Sequence, residues 1–150
     1  MKIRCIHNTG EALRIYENKP LAKNKLGKFG ATGYTEFGLT IDKEYLVMGI
    51  IIFETYQAYL IDDNGFISVY PCQLFEIMDH KLTQNWYFRR VNMNEDIYPF
   101  IQAIFGYYEL CFDKKAYTNL IVEKEEYSER IYFKRKIELE ATLSEESAAP

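Results

Sequence analysis

Polar and apolar residues alternate from Lys2 to His7, with Ile3 and Cys5 set against Arg4 and Ile6, and this predicts a short first strand. From Asn8 to Gly38 the alternation disappears. Pro20, Gly27, Gly30, Gly33, Gly38 and four lysines (Lys19, Lys23, Lys25, Lys28) fall in this stretch, which predicts a long, mobile loop. Leu39–Phe53 is dense in β-branched and aromatic residues, and Gly49 within it marks a bulge or bend. Tyr56–Ile61 and Phe66–Tyr70 flank Asp62-Asp63-Asn64-Gly65. An Asn-Gly between two such runs is a strong hairpin signal, because both residues tolerate positive φ. Pro71-Cys72-Gln73-Leu74 breaks the strand into a one-turn 3₁₀ segment, and Phe75–Asp79 is strand-like again.

Beyond Asp79 the period changes. Trp86-Tyr87-Phe88 is an aromatic clump that adds a strand or clamps what precedes it. Glu95, Asp96 and Pro99 suit a helix start, and Ile97, Ile101, Ile104 and Phe105 fall on one helical face that Gly106 can end. Asp113 suits the cap of a last helix from Lys114 to about Glu140. Its apolar stripe is Tyr117, Leu120, Ile121, Tyr127 and Ile131, with Glu126 and Arg130 as an i,i+4 pair. Strand, long loop, three meandering strands, 3₁₀ turn and short strand is the order of an SH3-like small β-barrel, which closes its own edges. The expected fold is therefore α+β, with an SH3-like small β-barrel over residues 1–90 and C-terminal helices packed on it over 91–140. Residues 141–150, small, polar and acidic, form the expected disordered tail.

Composition narrows the function classes. Of 150 residues, 48% are hydrophobic and 27% charged, which places the chain among globular proteins; the 13 Tyr, 10 Phe and 1 Trp are the outlier. Net charge is −4, the wrong sign for a general nucleic-acid binder. Residues 1–30 hold seven basic and two acidic side chains, net +5, and residues 31–80 hold one basic and eight acidic, net −7. The first segment suits a phosphate or acidic partner, the second a basic protein surface, and both also suit ordinary solvated faces. Three cysteines without a CxxC, no leader-like start and no uncharged run of membrane-spanning length point to reduced thiols, a cytoplasmic protein and no membrane partner.

Candidate chemistry is sparse. No P-loop, GxSxG, HExxH or EF-hand pattern occurs, and the glycine-rich Gly27–Gly33 has no strand leading into it. Cys5 and His7 fall on one face of the first strand and could pair as an activated thiol, but a core cysteine beside a surface histidine is the simpler reading. Asp79 and His80 point to opposite faces as sequence neighbours. Glu123, Glu125 and Glu126 lack a second acidic helix to complete a metal site. No catalytic residue, metal or cofactor is expected.

Leu39–Val47, Tyr70–Asp79 and Asn85–Phe88 resemble a family of small bacterial proteins of SH3-like character, some of which belong among the immunity proteins of contact-dependent toxin systems. The resemblance implies no catalytic residues. With the acidic middle segment, it points to a non-catalytic immunity protein that neutralises a cognate toxin domain, a basic nuclease encoded by a neighbouring gene. The candidate partner-binding residues are Asp62, Asp63, Glu76, Asp79, Glu95 and Asp96 as electrostatic contacts, with Trp86 and Tyr87 as aromatic anchors. The alternative is an SH3-like RNA- or ribosome-associated module that uses Arg4 and the loop lysines.

Overall fold

The computed structural model describes residues 1–83 and 85–148. Among the described residues eight strands form two antiparallel sheets. In the smaller, β1 (Lys2–Cys5) lies between β2 (Glu44–Leu46) and β6 (Phe75–Asp79). The larger runs in the order β5-β4-β3-β8-β7, built from β3 (Gly49–Phe53), β4 (Gln57–Asp63), β5 (Phe66–Pro71), β7 (Tyr87–Arg90) and β8 (Ile101–Gly106). The helical elements after β8 are α1 (Tyr108–Phe112), a five-residue wide turn at Thr118–Val122, and α2 (Glu126–Ala148); a 3₁₀ helix, Glu11–Tyr16, lies in the loop after β1. The fold is thus α+β with two antiparallel sheets and a C-terminal helix. Among the described residues no ladder joins the two sheets, and the expected barrel closure is not seen.

The hairpin signal is realised at β4–β5, where Asn64 and Gly65 take φ of 50° and 88°. The 3₁₀ turn falls at Cys72–Leu74. Residues 8–38, expected to be mobile, are instead tied down. Leu13, Phe29 and Ala31 are buried, the Arg14 guanidinium donates to the carbonyls of Ala22, Lys23 and Lys25, and the Glu17 carboxylate accepts from the Lys28 backbone N–H.

The larger sheet is a middle layer. One face, with Tyr59, Ile61 and Tyr70, packs against Ile3, Cys5 and Phe75 of the smaller sheet and against Leu13, Phe29 and Leu39 of the loop. The other, with Ile51, Leu60, Ile67 and Ile104, packs against Leu110, Cys111, Leu120 and Tyr132 of the helical side.

This layering overturns the helix expected at residues 97–105. Ile101–Gly106 is β8, paired with β3 on one side and β7 on the other. A strand covered on both faces loses its period of two, and the run Ile101, Ile104, Phe105 then imitates a helical repeat. The division at residue 90 also fails, because β8 completes the sheet that β3–β5 begin. The last helix is interrupted: Lys124 takes φ 53°, which resets the helical phase, leaving Tyr127 exposed and Tyr132 fully buried. The expected tail at 141–150 is helical through Ala148, and residues 149–150 lie outside the described residues.

Gly49 is required by close packing. A Cβ there would stand 2.8 Å from Leu110 Cδ2 and 3.0 Å from the Phe105 carbonyl oxygen. Gly49→Ala should lower stability by about 1–3 kcal/mol through overpacking, measured as a lower urea midpoint at unchanged slope.

Candidate partner-binding surface

Asp62 and Asp63 end β4, and as strand neighbours they point to opposite faces. Asp62 Oδ1 accepts from the Tyr132 hydroxyl at 2.9 Å and from Lys136 Nζ at 2.7 Å, so it ties α2 to the sheet. Asp63 accepts from Lys43 Nζ at 2.5 Å and from the Tyr45 hydroxyl at 2.9 Å on the side of the smaller sheet. Burial pushes the Tyr45 phenol up to about 12. Burial alone would raise the Asp63 carboxyl, but the Lys43 and Tyr45 hydrogen bonds outweigh it and hold the group below its ordinary value. Both carboxylates, with side chains 8% and 9% exposed, are structural. The expectation that they are exposed partner contacts is corrected: the chain's own cations already occupy them.

The other candidate acids sit on separate elements. Glu76, on β6, pairs with Arg4 and remains half-exposed. Asp79 ends the same strand, exposed, and accepts from the Lys81 backbone N–H. Glu95, on the β7–β8 connection, is largely covered; it pairs with Arg89 and accepts from the Asn92 backbone N–H, so it too is structural. Asp96 beside it is exposed.

The aromatic candidates fall at the β7 edge. Trp86 is half-buried against the core between the sheets, whereas Tyr87 is 46% exposed. The Tyr87 ring meets Tyr108 and Phe112 of α1 edge-on, with centroids 5.5 and 5.6 Å away, and those two rings stand 5.2 Å apart. Tyr108 and Phe112 are about half-exposed, and the three rings form an aromatic ridge. Tyr87 and Tyr108 also wall a cleft of about 220 Å³ closed by Arg135 and Glu138 of α2. Phe112 walls a shallower groove of about 960 Å³ that contains Asp96, Lys114 and Glu123. On the opposite face of β7, Phe88 stacks obliquely on Phe105, its ladder partner, and is 52% exposed.

β7 is also an open edge. Val91 N–H donates to the Gln102 carbonyl, so by antiparallel alternation the bonded pairs along β7 fall at Arg89 and Tyr87. The backbone N–H and C=O groups of Phe88 and Arg90 therefore turn outward. The far edge, β5, is covered: Lys124 Nζ donates to the Ile67 carbonyl while lying 4.3 Å from the Phe66 ring centre.

The other candidate chemistry does not assemble. Cys5 Sγ donates to the His7 backbone carbonyl rather than meeting its imidazole, and burial raises the thiol, the opposite of activation. Burial likewise pushes Cys72 and Cys111 up to about 11. Glu123 follows the wide turn while Glu126 opens α2, so the three acids at 123, 125 and 126 do not share one helix. Among the described residues no group of His, Cys, Asp and Glu is placed to hold a metal ion. No described helix is long and apolar enough to cross a membrane.

Sequence reasoning missed Phe112, Tyr108 and the two cations that seat α2. Arg135 bridges Glu109 and Glu138, and Lys136 meets Asp62, both from the inner side of the helix. The available signal was an adjacent Arg-Lys pair set between Tyr132 and Leu139 on what had to be a buried face. Comparison of the chain with family models, curated proteins and solved structures gives no match.

Two outcomes follow from the twin carboxylates. Asp62→Ala leaves Tyr132 and Lys136 without their acceptor and should cost about 3 kcal/mol, the low end for breaking a buried pair because Lys136 is partly wet. Asp63, with its folded pKa depressed, contributes stability that is fully present above about pH 4 and is lost as pH falls through the folded value. Thermal unfolding should therefore show the wild type losing melting temperature in acid, with the loss visibly shallower in Asp63→Asn.

Proposed function

We propose that this protein is a non-catalytic immunity protein that binds and neutralises a cognate toxin domain, and that the β7 edge with its aromatic ridge is the binding surface. The carrying observation is the ridge itself. Tyr87, Tyr108 and Phe112 are half-exposed rings beside a strand edge whose outward backbone groups have no partner among the described residues, whereas at the far edge of the same sheet Lys124 caps the Ile67 carbonyl. Aromatic anchors on a fixed scaffold concentrate binding energy at little entropic cost, and an open edge can accept a partner strand. In the adjoining groove Asp96 and Glu123 stand with Lys114 and Lys115, so the groove offers charged contacts of both signs, and the two acids are the ones a basic nuclease domain would meet. Asp62, Asp63 and Glu95 are not part of this proposal, because the fold already uses them.

The SH3-like reading belongs to the same proposal. It is supported by the order strand, long loop, four strands of which β3–β5 form a meander, 3₁₀ turn and strand, and by β1 lying between β2 and β6. On this reading β7, β8 and the helices are an addition to the SH3-like part, and the addition carries the partner surface.

The test measures affinity for the product of the adjacent gene by calorimetry. Tyr87→Ala and Phe112→Ala should each cost about 2 kcal/mol, roughly a thirty-fold rise in Kd, with the melting temperature little changed. Asp96→Ser should act mainly on the association rate, and less so at high salt. Undiminished affinity in both aromatic variants would move the interface elsewhere. Absence of binding by the wild type would remove the immunity reading.

A further inference from the structure

A second exposed surface lies on the loop between β1 and β2, away from β7 and α1 in the fold. Arg14 is committed there to holding the loop's shape, since its guanidinium donates to the carbonyls of Ala22, Lys23 and Lys25 at 3.2, 3.2 and 2.5 Å. The backbone crosses back through Gly33 N–H to the Lys23 carbonyl at 2.8 Å, which brings Tyr34 beside Lys23; the ammonium stands 4.8 Å from the ring centre. The result is a braced knuckle. From it project two aliphatic side chains with no cover, Ile15 at 81% exposure and Leu26 at 70%, together with Tyr34 at 66%. Lys19, Lys23 and Lys25 of the same loop are all exposed, and Ile15, Lys19 and Lys23 line one shallow concavity. Two acids, Glu11 and Glu17, line the same concavity, with Glu17 accepting from the Lys28 backbone N–H, and Lys19, Lys23 and Lys25 leave the knuckle basic on balance.

We propose that this knuckle docks the protein peripherally on an anionic lipid surface, with Ile15 and Leu26 entering the headgroup layer and the three lysines meeting its negative charge. Charge complementarity selects an anionic occupant, and the side-chain types choose among anionic partners. A single-stranded nucleic acid is held by stacked rings, and the most exposed side chains here are aliphatic. A protein interface core is depleted in lysine, which dominates this patch. Exposed aliphatic tips inside a lysine collar suit the boundary between acyl chains and anionic headgroups. Peripheral contact requires no spanning segment, so the lack of a long apolar run, which argued against a membrane partner, does not bear on it. The proposal is independent of the toxin-binding reading.

The experiment uses the full chain and cosedimentation with phosphatidylcholine vesicles, with and without phosphatidylserine. Binding should appear only with phosphatidylserine and weaken steeply with added salt. Lys19→Glu, Lys23→Glu and Lys25→Glu together should lower the partition coefficient by roughly 100-fold or more. Ile15→Ser with Leu26→Ser should lower it while leaving the salt dependence in place. All five positions are exposed, and an unchanged melting temperature will show that the variants fold. Equal partition onto both vesicles, or none onto either, overturns the proposal. Retention on polyuridylate that the lysine variant abolishes, without vesicle binding, overturns it in favour of RNA.

Discussion

Four consecutive residues of β4, Ala58 to Ile61, are buried, and a strand that alternates its side chains between two faces can achieve this only if both faces are covered. That constraint organises the molecule. It makes the larger sheet a middle layer and demands a cover on each side: the smaller sheet with its long loop on one, the wide turn, α1 and α2 on the other. Neither cover is a free-standing domain, because each completes a core whose other wall is the same sheet.

The end of β4 shows how the two covers are held. Asp62 and Asp63 leave the sheet in opposite directions, one meeting Lys136 and Tyr132 of α2, the other Lys43 and Tyr45 at the start of β2. An apolar face alone would leave the azimuth of α2 loosely defined, since its inner side carries Arg135 and Lys136 where an apolar stripe would normally run. The ion pairs to Glu109 and Asp62 seat those cations against the sheet side and so favour one helix rotation. Two of the chain's most conspicuous acids are thereby taken out of its outward electrostatics.

What remains facing outward is polarised. The covered β5 edge leaves β7 as the open side of the middle sheet, and α1 folds back on it to add two rings to Tyr87. The basic loop, which a reading by composition treats as slack, is braced by Arg14 and Glu17 and carries its aliphatic residues outward. An acidic protein can thus present one aromatic edge and one basic knuckle without conflict, because at physiological ionic strength exposed charges are screened over about 8 Å.

The local code was legible in the sequence: the Asn64-Gly65 turn, the 3₁₀ segment after Pro71, the strands β1, β4, β5 and β6 and the exposed Glu126–Arg130 pair all follow from neighbours within a few residues, whereas the single run Leu39–Phe53 divides into β2 and β3 of different sheets. The exposure of Tyr87 and of Asp96 was also readable. Tertiary structure alone decided the rest. β8 lost its strand period because both its faces are covered, and Pro99 with the flanking acids supplied a false helix start. Charge counts treat every carboxylate as solvated, whereas Asp62 and Asp63 find cations that are 74 and 20 residues away in the chain. The aromatic ridge likewise joins β7 to α1 across β8, and no local pattern encodes which rings a sheet edge and a short helix will bring into contact.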